Sequence, residues 1–203
     1  MKPAIADWER KFAGGDYEFG TAPNAFLVRE APRIAAGSDV LCIADGEGRN
    51  STWLAEQGHR VHAVEASRNA IAKADALARS RGVKVRHEQV DLDEWSWPIA
   101  SYDAVVAIFV QFSDPDGRRR IFPRMGASLR PGGVLIIEGY GLGQLAFATG
   151  GPKSAEYLYT VDEMQTAFPG LTLQTIAEYD AVLSEGTRHS GMSALLDLVA
   201  VAP

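Results

Sequence analysis

Five short apolar runs, at residues 40–44, 61–65, 83–87, 104–110 and 134–138, alternate with stretches of helical character, and this alternation constrains the fold more than any other feature. Strands that are apolar along their whole length are covered on both faces, as strands of a parallel sheet are. Alternation with helices then gives βαβ units, because parallel neighbours need a crossover between them. The helical stretches are 51–57, 67–81 and 118–129; in the second, Ala70, Ala74, Leu77 and Ala78 recur at i, i+4, i+7 and i+8, one face of a helix. Gly58 and Gly82 follow the first two of these stretches as helix-terminating residues do. Beyond residue 138 come a glycine-rich loop (139–151), a short helix (160–168) and two β-like stretches (171–183 and 192–201) joined by a turn-rich connector (184–191). The last two read as a hairpin, so the sheet is expected to end antiparallel. The expectation is an α/β chain with a Rossmann-like, doubly wound, mostly parallel sheet and an antiparallel seventh strand. Its 203 residues form one domain, with a helical N-terminal cap (1–36) and an α/β core (37–203).

Charge and composition narrow the partners. Twenty Lys and Arg against 26 Asp and Glu leave a net charge of −6, the wrong sign for a phosphate-rich partner, so no nucleic-acid partner is expected. The run Arg118-Arg119-Arg120 is read as a solvated helix face. Cys42 is a single cysteine inside a strand, read as a buried small hydrophobe, and the four histidines show no zinc spacing, so no metal is expected. No apolar run is long enough to span a membrane and the first residues lack the apolar centre of a secretory signal. No membrane partner and a cytoplasmic location are therefore expected.

The chemistry is concentrated where the first strand runs into a turn and a helix, at Ala44-Asp45-Gly46-Glu47-Gly48-Arg49-Asn50. Glycines there let a ligand approach the backbone, and the helix start offers unpaired N–H groups. Glu65 ends the second strand with Ala66 beside it, where a carboxylate accepts hydrogen bonds from both hydroxyls of a ribose. Together these specify a nucleoside-containing ligand. The Gly-x-Gly-x-x-Gly spacing and the lysine of a triphosphate loop are both absent.

In this order the motifs resemble those of class I S-adenosylmethionine-dependent methyltransferases. Glu65 resembles the family's ribose-binding acid, Asp91-Leu92 the acid beside the adenine amino group, and Leu129-Arg130-Pro131-Gly132-Gly133-Val134-Leu135 the turn before the fifth strand. A narrower resemblance, to small bacterial methyltransferases of the tellurite-resistance type, rests on Gly46-Glu47-Gly48-Arg49-Asn50, on Tyr17-Glu18-Phe19-Gly20-Thr21-Ala22-Pro23-Asn24 and on Glu185, Gly186, His189 and Gly191. The chain departs from the family at Cys42, where an acid is usual, and at Ala44, where a glycine is usual. Asp45, on the same turn, is the candidate to stand in for that acid.

The resemblance implies S-adenosylmethionine as cofactor, S-adenosylhomocysteine as product, and cofactor contacts from residues 44–50, Glu65, Ala66, Asp91, Leu92, Ala107, Ile108 and Phe109. Ligands of open α/β sheets lie beyond the carboxyl ends of the strands, which nominates Gln111, Phe112, Tyr140 and Arg188 to face a small-molecule acceptor, with Tyr17 and Phe19 of the aromatic N-terminal segment beside them. No base stands out; His189 and Glu185 are the candidates. The aromatic N-terminal segment with Trp8 and Phe12 is expected to fold over the cofactor. A monomer or homodimer is expected. Two other readings stay open: a catalytically silent S-adenosylmethionine-binding protein that acts through partners, and a nicotinamide-dependent oxidoreductase, whose ribose Glu65 would serve equally well.

Overall fold

A computed structural model describes residues 2–147 and 149–203. Two helices, α1 (Pro3–Lys11) and α2 (Ala25–Glu30), precede the alternation β1 (Asp39–Ile43), α3 (Arg49–Glu56), β2 (Arg60–Glu65), α4 (Arg68–Ser80), β3 (Arg86–Gln89), β4 (Tyr102–Ile108), α5 (Pro115–Ala127) and β5 (Leu129–Tyr140). A short α6 (Val161–Thr166) leads to the hairpin β6 (Thr172–Glu185) and β7 (His189–Val201). The seven strands lie in the order β3-β2-β1-β4-β5-β7-β6. Strands β1 to β5 pair in parallel, and β7 inserts antiparallel to both β5 and β6. This is the doubly wound sheet with an antiparallel seventh strand that the sequence predicts.

One face of the sheet buries Leu41, Ile43, Val105, Leu135, Ile137 and Leu198 against α5 and α6 through Phe122, Met125 and Met164. The other buries Val40, Cys42, Val106 and Ile136 against α2 and α3 through Phe26, Leu27 and Leu54. Helix α2 is therefore part of the core, not only of a cover. Cys42 is buried, and the apolar surroundings push its thiol pKa up, away from the reactive thiolate.

Four local expectations are corrected. The third strand is Arg86–Gln89 rather than 83–87, because Val83 belongs to the preceding helix's end: its N–H donates to Ala78 O, 3.1 Å, closing a Schellman turn around Gly82. The connector 184–191 shrinks to three residues, since strand pairing runs out to Glu185 opposite His189. Arg118 is not solvated. It is 3% exposed, paired with Glu163 at 2.7 Å and donating to Ser113 O and Glu156 O. Arg119 and Arg120 are exposed, the first paired with Asp116 along its helix and the second with Asp93. The helix itself begins earlier than expected, at Pro115, capped by Asp114, whose side chain accepts from Gly117 N at 2.8 Å.

Among the described residues no helix is long and apolar enough to cross a membrane, and no three His, Cys, Asp or Glu side chains form a metal-binding group.

Candidate cofactor and active site

A cavity of about 340 Å³ opens at the carboxyl ends of β1, β2 and β4, where the strand order switches. Ala44 and Phe109, the residues just beyond β1 and β4, both hold positive φ angles, 48° and 55°. Left-handed backbone is costly for residues with a Cβ, so both ends of the cavity floor are locally strained. This is the physical reason a glycine suits the position of Ala44.

Of the cofactor residues nominated from sequence, Ala44, Asp45, Gly46, Glu47, Arg49, Asn50, Glu65, Ala66, Asp91, Leu92, Ile108 and Phe109 line this cavity. Gly48 and Ala107 do not. A Cβ on Gly48 would stand 2.6 Å from the Ala74 Cβ, so this glycine lets α3 and α4 touch. Ala107 is fully buried inside β4.

Glu65 is held rigidly. One carboxylate oxygen accepts from Gly46 N (3.0 Å), the other from Ala66 N (2.8 Å) and Ser67 N (2.9 Å), while burial pushes its pKa up. Asp45 accepts from the Ser51 hydroxyl and N–H at the start of α3, and burial raises its pKa too. Arg49 is 7% exposed; its Nη2 lies 2.7 Å from Glu185, while its Nη1 is buried without any partner. An unpaired guanidinium N–H in a buried site is expensive unless an acceptor arrives. With the apolar slot of Val64, Val90, Leu92 and Ile108 beside Glu65, these residues fit a ligand that carries an apolar ring, a ribose and a carboxylate, as S-adenosylmethionine does.

The N-terminal segment covers the cavity. Ile5, Trp8, Phe12 and Phe19 line it, with Trp8 and Phe12 stacked at 5.6 Å. Helix α1 is fastened at both ends: the Glu9 carboxylate takes the Ser67 hydroxyl and Asn69 N at the start of α4, and Lys2 Nζ lies 2.9 Å from Asp91. The strap that follows is tied by Phe19 N to Glu47 (3.2 Å), by Lys73 Nζ to Asp16 O (2.6 Å), and by Thr187 N and Arg188 N, both donating to Glu18 O.

The residues nominated to face an acceptor divide. Phe19 and Phe112 line the cavity, as does His189. Tyr17 turns away to donate to Lys73 O, Arg188 pairs with Glu18 at 2.6 Å on the surface, and Gln111 braces Tyr140 N, Tyr140 O and Tyr157 O. Tyr140 lies beneath the cavity wall, its ring 5.6 Å from His189. His189 sits between Phe19 and Phe109, at ring distances of 4.6 and 4.1 Å, and burial lowers its pKa, leaving a neutral imidazole. Glu185 does not line the cavity. It lies behind His189, its Oε2 3.9 Å from the imidazole Nδ1, and holds Arg49. Lys2, Asp93 and Arg120 also line the cavity, a placement that no pattern in the sequence marks.

Comparison with known proteins gives a consistent picture. A family model described as a methyltransferase domain matches residues 40–133. A glycine/sarcosine N-methyltransferase of Halorhodospira halochloris is 31% identical over 66% of this chain and 48% of its own length. A thiopurine S-methyltransferase of Pseudomonas putida (strain W619) is 41% identical over 32% of each. The chain thus spans about half or less of the curated relatives it matches. The crystal structure of TehB from Haemophilus influenzae superposes with a TM-score of 0.72 over 98% of this chain and 67% of that one, at 16% identity, a likeness of fold. Residues 40–133 thus match a methyltransferase domain, and the strand order with its antiparallel seventh strand is the fold of class I methyltransferases.

Proposed function

We propose that this chain transfers the methyl group of S-adenosylmethionine to a small, uncharged acceptor at the aromatic end of the cavity. One observation carries the reading: a single cavity holds the cradled carboxylate of Glu65, the unpaired Nη1 of Arg49 and the neutral imidazole of His189. When bound, S-adenosylmethionine supplies a methyl group already activated by its sulfonium. The protein's task is then to hold the nucleophile in line and keep water out. Glu65 is set to take the ribose hydroxyls, Arg49 the methionyl carboxylate and Asp91 the adenine amino group. Phe19, Phe109, Phe112 and Tyr157 wall the acceptor end, and His189 takes the proton that a thiol, amine or hydroxyl releases.

Size and charge support the acceptor class. The cavity lies near the lower end of the roughly 300–1,000 Å³ range of ligand pockets, which leaves little room beyond a nucleoside cofactor. Each cation that lines it is already committed: Lys2 to Asp91 and Asp93, Arg120 to Asp93, and Arg49 to Glu185 through Nη2, its free Nη1 being the one set to take the methionyl carboxylate. An anionic acceptor would find no dedicated counter-charge. Small acceptors also appear in the names of the glycine/sarcosine and thiopurine relatives. The reading carries with it a cytoplasmic monomer or homodimer without nucleic-acid or membrane partners.

Calorimetric titration with S-adenosylhomocysteine, with NAD in parallel, tests this. Micromolar binding of the former alone is expected, and Glu65→Ala should weaken it at least tenfold. Binding of NAD in its place would revive the oxidoreductase reading, and binding without turnover on any acceptor would favour the silent binder.

A further inference from the structure

Behind His189 lies a buried polar cluster that the methyl-transfer chemistry above does not use. Its centre is Asn24, 1% exposed, whose one amide NH2 group donates to two carboxylates: Glu138 Oε2 on β5 and Glu185 Oε1, 3.0 Å away, at the end of β6. The other polar atoms of Asn24 are committed as well. Its Oδ1 accepts from Leu27 N (2.9 Å) at the start of α2, and its N–H donates to Asn50 Oδ1 (3.0 Å) on α3. The residue is therefore fixed in position by two helices and cannot turn its amide away from either acid.

On one side of that amide, Glu185 reaches Arg49 and faces the Nδ1 of His189. On the other, Glu138 stands directly opposite Asp197 in the β5–β7 register, and both are essentially inaccessible, at 2% and 0% exposure. Two buried carboxyls in contact cannot both ionise cheaply, so one proton is shared between them. Arg29 Nη2, 2.8 Å from Asp197 Oδ2, neutralises the ionised partner, and Tyr179 on β6 also bonds Asp197. The groups facing Glu138 are thus Asn24, Asp197, Glu185, Tyr140 and, through those acids, Arg29 with its second partner Glu30, Tyr179 and Arg49. With Glu138 protonated, Glu185 balances Arg49, and Asp197 and Glu30 together balance Arg29 and Arg33, so the cluster is neutral.

We propose that Asn24 is a positioning residue that couples the imidazole of His189 to the buried Glu138–Asp197 acid pair, through Glu185 on one side of its amide and Glu138 on the other. The inference deepens the reading of His189 as the proton acceptor. Loss of the shared proton adds one negative charge to a cluster that has no spare cation, and the Asn24 amide, held between the two acids, strengthens its bond to Glu138 at the expense of its bond to Glu185 behind the imidazole. The added charge also favours the protonated imidazole. Burial, with the charge of Asp197, raises the Glu138 pKa to about 8.

The test needs neither cofactor nor acceptor. Nitrogen-correlated NMR of the imidazole rings, with His189 assigned by its loss in His189→Gln, is followed from pH 5 to 10 in the full chain. The wild type should show, beyond the ring's own titration, a second step in the His189 shifts near pH 8, the Glu138 value. Glu138→Gln, which keeps both hydrogen bonds but cannot ionise, should abolish that step, and Asn24→Ser, which keeps a capping oxygen but has no bridging amide, should abolish it too. No second step in the wild type, or a step unchanged in Glu138→Gln, overturns the proposal. A step lost in Glu138→Gln but intact in Asn24→Ser removes Asn24 from it. Failure of S-adenosylhomocysteine to bind would instead sink the methyl-transfer reading and leave this coupling measurable.

Discussion

At the residue scale, the fold spends stability on unusual local states around the cavity: left-handed Ala44 and Phe109, an unpaired Arg49 nitrogen, and an acid pair that shares a proton. The acid pair makes stability depend on pH. A carboxyl whose pKa is raised on folding stabilises the folded form below its unfolded value, and that contribution is lost as pH rises through the folded value. For Glu138 the window runs from the ordinary value of 4.5 to about 8. Thermal unfolding of the wild type should therefore shift to lower temperature between pH 6 and 9 more than that of Glu138→Gln, and equal shifts would count against the shared proton. Several of these residues were legible in the sequence. Glu65 and the 44–50 turn are fixed by strand-to-turn punctuation, which survives translation into space. Asn24, Glu138 and Asp197 were not legible as partners, because 114 residues separate Asn24 from Glu138 and only the sheet order brings them together. Arg118 misled for a related reason: three consecutive arginines look solvated until Glu163 and two carbonyls from other elements converge on the first.

At the element scale, periodicity located the interior strands and failed at the margins. β1, β4 and β5 are buried on both faces and read as apolar runs, whereas β3 is an edge strand of sequence Arg-His-Glu-Gln with no apolar residue to announce it. The hairpin tip deceived similarly: Ser184, Glu185, His189 and Ser190 look like loop residues, but they are paired strand, and His189 turns inward to the cavity with Glu185 behind it. That tip also supports the strap. A Cβ on Gly186, whose φ is +70°, would stand 2.5 Å from Glu18 O, Gly20 N and Phe19 C. Gly186→Ala is therefore expected to lift the strap from the hairpin and to cost about 2 kcal/mol, from backbone strain together with lost contacts. Limited proteolysis should then cut within residues 16–24, and unchanged resistance to cutting would show that the strap does not depend on the tip.

At the scale of the whole molecule, the sheet order was readable because βαβ crossovers have few allowed arrangements, while the roof over the cavity was not, since α1 and the strap are held by side chains scattered over α4, the Asp91 loop and the hairpin. A ligand enclosed by so many elements should stabilise all of them together. At 100 times its dissociation constant, S-adenosylhomocysteine should add about 2.7 kcal/mol. For a chain of this length that corresponds to a rise of roughly 5–10 °C in the melting temperature; a shift of under about 1 °C at saturation would mean that the ligand does not engage the closed form. The fastening of the strap to the hairpin also bears on how the molecule is made. Residues 16–24 hold Gly186, Thr187 and Arg188, and β5 receives its second neighbour only from β7, so a nascent chain halted after β5 has an open edge along β5 and a strap not yet tied to the hairpin. The tie from Glu18 O to Thr187 and Arg188 is therefore among the last to form, and until the hairpin emerges the half-made protein presents the open edge of β5 to chaperones and proteases.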